Sequence, residues 1–193
     1  SRYAKTGETV YIPFTIYARY GTTGTGTRQL TGTVAIKIGQ TMNFIDVKTT
    51  DYFYNSVKWA VNKGVTTGTS STTFSPYNPC KRAEIVTFLW RAAGSPEPTI
   101  TRNPFRDVNA VRDASYYKAI LWASQKGITS GTSATAFSPD QVCTRAQIVT
   151  FLYRYAGQPS GYYSNPFKDV SSVNEASYYN AILWAVGKGL TQC

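Results

Sequence analysis

The chain has 193 residues, enough for one or two domains with a real core, and 20 basic against 10 acidic side chains give it a charge of +10. That balance favours a polyanionic partner, while no stretch approaches the ~20 apolar residues of a membrane helix, so membrane insertion is not expected. Histidine is absent, which removes the commonest general base and the commonest metal ligand together, so no enzyme, metal site or cofactor is expected.

Residues 9–20 (Thr-Val-Tyr-Ile-Pro-Phe-Thr-Ile-Tyr-Ala-Arg-Tyr) alternate and are rich in β-branched and aromatic side chains, which predicts a strand. Gly21 to Gly26 reads as a Gly/Thr turn and Gly32 to Ile38 as a second strand. Two strands alone are marginal in water. Residues 1–43 are therefore expected to be a β-rich segment, the tail of a preceding domain or one side of a pairing made elsewhere. No cleavable leader opens the chain, so a mature form or an excised fragment is expected.

From Phe44 onward the chain repeats itself. Phe-x-Asp-Val begins at Phe44, Phe105 and Phe167, Trp-Ala follows at Trp59, Trp122 and Trp184, and Lys-Gly closes each stretch at Gly64, Gly127 and Gly189. Trp59 to Trp122 is 63 positions and Trp122 to Trp184 is 62. Such a period marks units that cannot bury their apolar faces alone and must pack on their neighbours. The module spans 44–193, with repeats of about 44–104, 105–166 and an incomplete 167–193.

Each repeat predicts helix, loop, helix, linker, so the chain is expected to be mainly α. The first-helix faces are Phe53, Val57, Ala60 and Val61, then Tyr116, Ile120, Ala123 and Ser124, then Tyr178, Ile182, Ala185 and Val186. Loops run from Gly68 to Pro76 and from Gly131 to Pro139. Second helices present Ile85, Phe88, Leu89 and Ala92, and Ile148, Phe151, Leu152 and Tyr155, and end at Gly94 and Gly157. Cys80 and Cys143 occupy one repeat position and read as small buried apolar residues, not as a disulfide pair.

These motifs resemble the S-layer homology family. The second repeat supplies Phe105-Arg106-Asp107-Val108, Trp122-Ala123, Gly127-Ile128-Thr129-Ser130-Gly131, Phe137-Ser138-Pro139 and Thr144-Arg145-Ala146-Gln147. The first supplies Gly64-Val65-Thr66-Thr67-Gly68, Phe74-Ser75-Pro76 and Lys81-Arg82-Ala83-Glu84, with Lys81 in place of the usual Thr. The resemblance implies tandem repeats in a pseudo-three-fold helical bundle, secreted and held at the cell wall of Gram-positive-type bacteria. It also implies a noncatalytic anchoring role, binding pyruvylated secondary cell-wall polysaccharide in grooves between repeats. The third repeat has no Thr-Arg-Ala-Glu/Gln segment, so only two Arg-bearing helix starts are available.

The candidate ligand-binding residues are Arg82, Arg145, Lys81, Thr144, Gly68, Gly131, Trp59, Trp122 and Trp184. Thr144 and Gln147 are accounted for by a capping box without any ligand. The arginines are not, because a cation in the first helical turn is disfavoured by a few tenths to about 1 kcal/mol. A guanidinium fork beside free helix-start N–H groups makes an anion site. The alternative is that each Arg pairs with an internal acid, Asp46, Asp107 or Asp169. The tryptophans read either as packing or as faces on which sugars stack. Gly68 and Gly131 read as positive-φ turn residues that also admit a sugar. The Phe-x-Asp-Val aspartates read as turn or capping groups.

Two other partner classes compete. Protein–protein assembly, with the third repeat completed by another segment or chain, is the main alternative. Nucleic acid is allowed by charge, yet no nucleic-acid motif accompanies it and none is expected.

Overall fold

The computed structural model describes residues 9–20, 26–37, 42–100, 102–174 and 176–191. Strands β1 (Thr9–Tyr20) and β2 (Gly26–Lys37) form a two-stranded antiparallel sheet. The register runs from Thr9 opposite Lys37 to Tyr20 opposite Gly26. β2 thus begins six residues before the expected Gly32. The ladder continues through Gln29 and Arg28 because backbone pairing with β1 extends where apolar alternation has faded. The Phe14 ring covers Gly32, where a Cβ would collide with it. Most of the expected Gly21 to Gly26 turn lies outside the described residues.

Among the described residues five helices follow: α1 (Tyr54–Asn62), α2 (Arg82–Ala92), α3 (Tyr117–Gln125), α4 (Arg145–Tyr155) and α5 (Tyr179–Gly187). The protein is mainly α with a short N-terminal β segment, as its periodicities predict. Gly64, Gly127 and Gly189 end the first helices at φ of 68°, 69° and 67°. That left-handed conformation costs an ordinary L-residue about 1–2 kcal/mol, so glycine is the natural stop.

Packing links each second helix to the next repeat: α2 lies against α3 and α4, and α4 against α5. The main core sits at the junction of the first two repeats, where Val86, Ile120, Ile128 and Phe137 are fully buried. Full burial of side chains of this size contributes roughly 1.5–3 kcal/mol each. A smaller cluster of Val47, Val57 and Val61, with Phe44, Phe53 and Phe74 around it, holds α1.

The expected first-helix faces turn inward. The second-helix face needs correction: α2 buries Ala83, Val86 and Leu89, while Phe88 is half-buried and Ala92 is exposed. Meeting α3 and α4 at once shifts its buried stripe. On α4 the fully buried residue is Phe151, and Tyr155 is exposed.

Two chain segments seal the first joint. Residues 80–83 run antiparallel to 139–143: Arg82 N–H donates to Gln141 at 2.9 Å, Ala83 N–H to Pro139 at 3.1 Å, and Cys143 N–H to Cys80 at 3.0 Å. Cys80 and Cys143 carry free thiols and are half-buried, not wholly buried. Helix-start N–H groups that would otherwise lack partners are satisfied by the neighbouring repeat.

Candidate functional site at the second-helix starts

The site begins with the loops. Asp107 accepts the Phe137 N–H at 2.9 Å and the Ser138 N–H at 2.7 Å. Asp46 takes the Phe74 N–H at 2.9 Å and the Ser75 N–H at 2.7 Å. These aspartates therefore hold the Phe-Ser-Pro loops about thirty residues downstream, a longer-range task than the local turn or cap expected of them. The Phe74 N–H bond is the largest influence holding the Asp46 carboxyl below its ordinary value.

Loop position decides the fate of the two arginines. Arg82 is only 4% exposed. Its Nε donates to the Phe137 carbonyl at 2.8 Å, and its guanidinium lies 4.9 Å from the Phe137 ring and 5.3 Å from the Phe151 ring. An outward-facing guanidinium at Arg82 is thus corrected, and so is pairing with an internal acid. Its partners are a carbonyl and two aromatic faces. Burial lowers its pKa from the ordinary value.

Arg145 occupies the same place one repeat later and is exposed. Its Nη2 donates to Thr191 Oγ1 at 2.9 Å. A cavity of about 280 Å³ opens beside it, lined among others by Phe167, Asp169, Tyr178, Ile182 and Thr191. Counterparts one repeat earlier are Phe105, Asp107, Tyr116, Ile120 and Thr129. There the Phe137 loop sits on Arg82.

Lys81 and Thr144 flank these helix starts. Thr144 Oγ1 accepts the Gln147 N–H at 3.2 Å, and Gln147 Oε1 accepts the Thr144 N–H at 3.1 Å, a complete capping box. Lys81 has no side-chain acceptor, so only the Glu84 half forms, at 2.7 Å. Its Nζ contacts Asp140 at 2.8 Å across the joint, and that bond raises the Lys81 pKa. Both members of this pair are exposed, so its contribution to stability is small.

The remaining candidates divide. Trp122 and Trp184 are 3% and 6% exposed and belong to the packing, correcting the sugar-facing expectation for them. Their indole N–H groups are buried without a hydrogen-bond partner among the described residues. Trp59 is 55% exposed, since α2 covers α3 and α4 covers α5 while no described helix packs on α1. Gly68 and Gly131 have φ of 84° and 87°, and a Cβ on either would overlap the backbone of its own loop and the ring of Phe44 or Phe105. The missing side chain makes room for the chain itself, not for a sugar on that side. As groove residues Asp169, Tyr178 and Thr191 are new: the sequence offers Asp169 only as an internal acid for an arginine and Tyr178 only as a helix-face residue, and Thr191 is not among its candidates. Alignment of the third repeat on the second would have found them.

Fold and site together define a module of tandem helix-loop-helix repeats, each joined to the next through the start of its second helix. The sequence model of the S-layer homology domain matches residues 43–86 and 104–149, so the chain carries two domains of that family. Over 111 residues it is 35% identical to an endoglucanase of Bacillus sp. (strain KSM-635), a match covering 58% of this chain and 11% of that protein. Over 106 residues it is 34% identical to a surface-layer 125 kDa protein of Lysinibacillus sphaericus, covering 54% of this chain and 9% of that protein. The chain therefore spans about a tenth of either relative. S-layer homology domains are noncatalytic cell-surface anchoring modules that bind cell-wall polysaccharide. No described helix is long and apolar enough to cross a membrane.

Proposed function

We propose that this chain anchors its protein outside the cell by holding an acidic, pyruvylated wall polysaccharide in the Arg145 groove. The observation that carries the reading is the Arg145 guanidinium, exposed in the first turn of α4 beside a cavity lined by Phe167, Asp169 and Tyr178. A pyruvate ketal carries one carboxylate, which a guanidinium can grip with two parallel hydrogen bonds. Charge-assisted bonds of this kind contribute about 1.5–3 kcal/mol each when partly shielded. Phe167 and Tyr178 offer apolar faces to a sugar ring, and Asp169 accepts from its hydroxyls. The charge of +10 adds general attraction to a polyanion.

The test is calorimetric titration with a pyruvylated wall disaccharide beside its unpyruvylated twin, using wild type and Arg145→Ala. The pyruvylated sugar should bind more tightly to wild type, and the difference should vanish in the variant. Equal response to both sugars would overturn the assignment of the carboxylate.

A second reading is assembly, favoured by the Trp59 indole, 55% exposed on a helix that no other described helix covers. Concentration-dependent mass in light scattering supports it, and a constant monomer mass removes it.

A further inference from the structure

Outside the groove, two cysteines stand where the first repeat meets the second. The Cys143 N–H donates to the Cys80 carbonyl at 3.0 Å, the Arg82 N–H donates to Gln141 at 2.9 Å, and Lys81 opposes Val142 between these rungs. This antiparallel register makes Cys80 and Cys143 directly opposed residues, with side chains on one face of the ladder. Opposed residues at a hydrogen-bonded rung have Cα atoms about 5.5 Å apart, inside the roughly 4.4–6.8 Å span that disulfides bridge. Both thiols are free and half-buried, so neither is sealed from a reagent.

We infer that Cys80 and Cys143 form an oxidisable pair, a disulfide site that staples the first repeat to the second across their joint. This assignment reverses the expectation of two inert packing residues. Repeat-equivalent cysteines need not perform separate jobs once a joint lays one position against its own counterpart. The bond closes a long loop between positions 80 and 143, the kind of closure that restricts the unfolded chain strongly.

The chemistry needs an external disulfide as oxidant. One thiolate attacks it to give a mixed disulfide and release one thiol. The second thiolate then displaces the remaining half, joining Sγ to Sγ. Two protons and two electrons pass to the oxidant, which leaves as two thiols. Burial raises both cysteines, Cys80 to about 12, while the Arg82 charge offsets part of the rise at Cys143. Cys143 is therefore the first attacker. Cys143 precedes Arg145 by two positions, but neither cysteine lines the cavity beside Arg145, so the disulfide stands or falls independently of the glycan reading.

The experiment treats reduced protein with excess glutathione disulfide at about pH 8.5, long enough for the minor thiolate fraction to react, then alkylates and digests with trypsin. Trypsin places the three cysteines on separate peptides, 64–81, 127–145 and 189–193. The expected result is a reducible link between 64–81 and 127–145, with 189–193 not linked to either. The oxidised form should melt roughly 5–15 °C higher and return to the original midpoint on reduction. Cys143→Ser should lose both the link and the shift. Alkylation of all three cysteines after oxidation, or a link from either joint peptide to 189–193, would overturn the proposal.

Discussion

Arg82 donates Nε to the carbonyl of Phe137, 55 positions away, at 2.8 Å. That single bond ties the second helix of one repeat to the loop of the next. The Asp107 carboxylate holds the same loop from its other side through the Phe137 and Ser138 N–H groups. Loop, arginine and aspartate thus form one joint. In the next repeat Arg145 and Asp169 take the places of Arg82 and Asp107, beside a cavity that Phe167 also lines.

Substituting the two arginines should separate stability from binding. Arg82→Ala leaves the Phe137 carbonyl without its side-chain donor and opens a space between two rings, so it should cost about 2–4 kcal/mol in urea unfolding. Arg145→Ala removes an exposed side chain and should stay within about 0.5 kcal/mol of wild type. Glycan retention should fall for Arg145→Ala under conditions where both proteins remain folded. The opposite pattern would show that burial had been assigned to the wrong arginine.

Much of this architecture is legible from periodicity. Apolar residues at helical spacing and glycines at fixed offsets place all five helices and their stops, because those choices are local. The roles of Arg82, Trp59 and the aspartates are not local. Arg82 and Arg145 share a motif, yet the burial of Arg82 comes from a loop 55 positions along the chain. Trp59, Trp122 and Trp184 share one position, yet exposure depends on whether a preceding helix covers them. Asp107 sits in a local-looking Phe-x-Asp-Val while bonding a loop 30 residues away. The opposition of Cys80 to Cys143 has the same origin, in a joint between repeats.

Acid should weaken the fold through two carboxylates. Asp113 is held far below its ordinary value, first by the Arg112 side chain at 2.7–2.8 Å and then by the Asn109 N–H at 2.6 Å. Asp46 is lowered as well, first by the Phe74 N–H. A folded value below the unfolded one means these groups stabilise fully above the unfolded carboxylate range, about pH 4, and lose that contribution as pH falls through their folded values. The thermal midpoint should therefore drop on acidification below about pH 4. Asp113→Asn should lower the midpoint at neutral pH and flatten the acid slope. An acid slope identical to wild type would contradict the assignment.

Two glycines offer an internal control for steric claims. Gly127 has φ 69° and nothing within 4 Å of an added Cβ, whereas at Gly131 (φ 87°) that atom would overlap the Ala136 carbonyl and meet the Phe105 ring. Gly127→Ala should cost about 1–2 kcal/mol, the penalty of the left-handed conformation alone. Gly131→Ala should cost at least about 1 kcal/mol more, because the loop or the Phe105 ring must move. Equal losses in urea unfolding would mean that the loop yields freely.

The repeated tryptophans test whether position or neighbourhood sets their role. Trp122 is buried and its ring lies 6.0 Å from that of Tyr155. Trp122→Ala should therefore cost about 3–5 kcal/mol, as large-to-small changes in cores do. Trp59 exposes 55% of its surface, so Trp59→Ala should change stability by less than about 1 kcal/mol. An exposed indole is also quenched by acrylamide while a buried one is protected, so Trp59→Phe should remove much of the quenchable fluorescence and leave the protected part. If Trp59→Ala instead destabilises as strongly as Trp122→Ala, the face of α1 is covered in solution and the exposed indole is an interface residue.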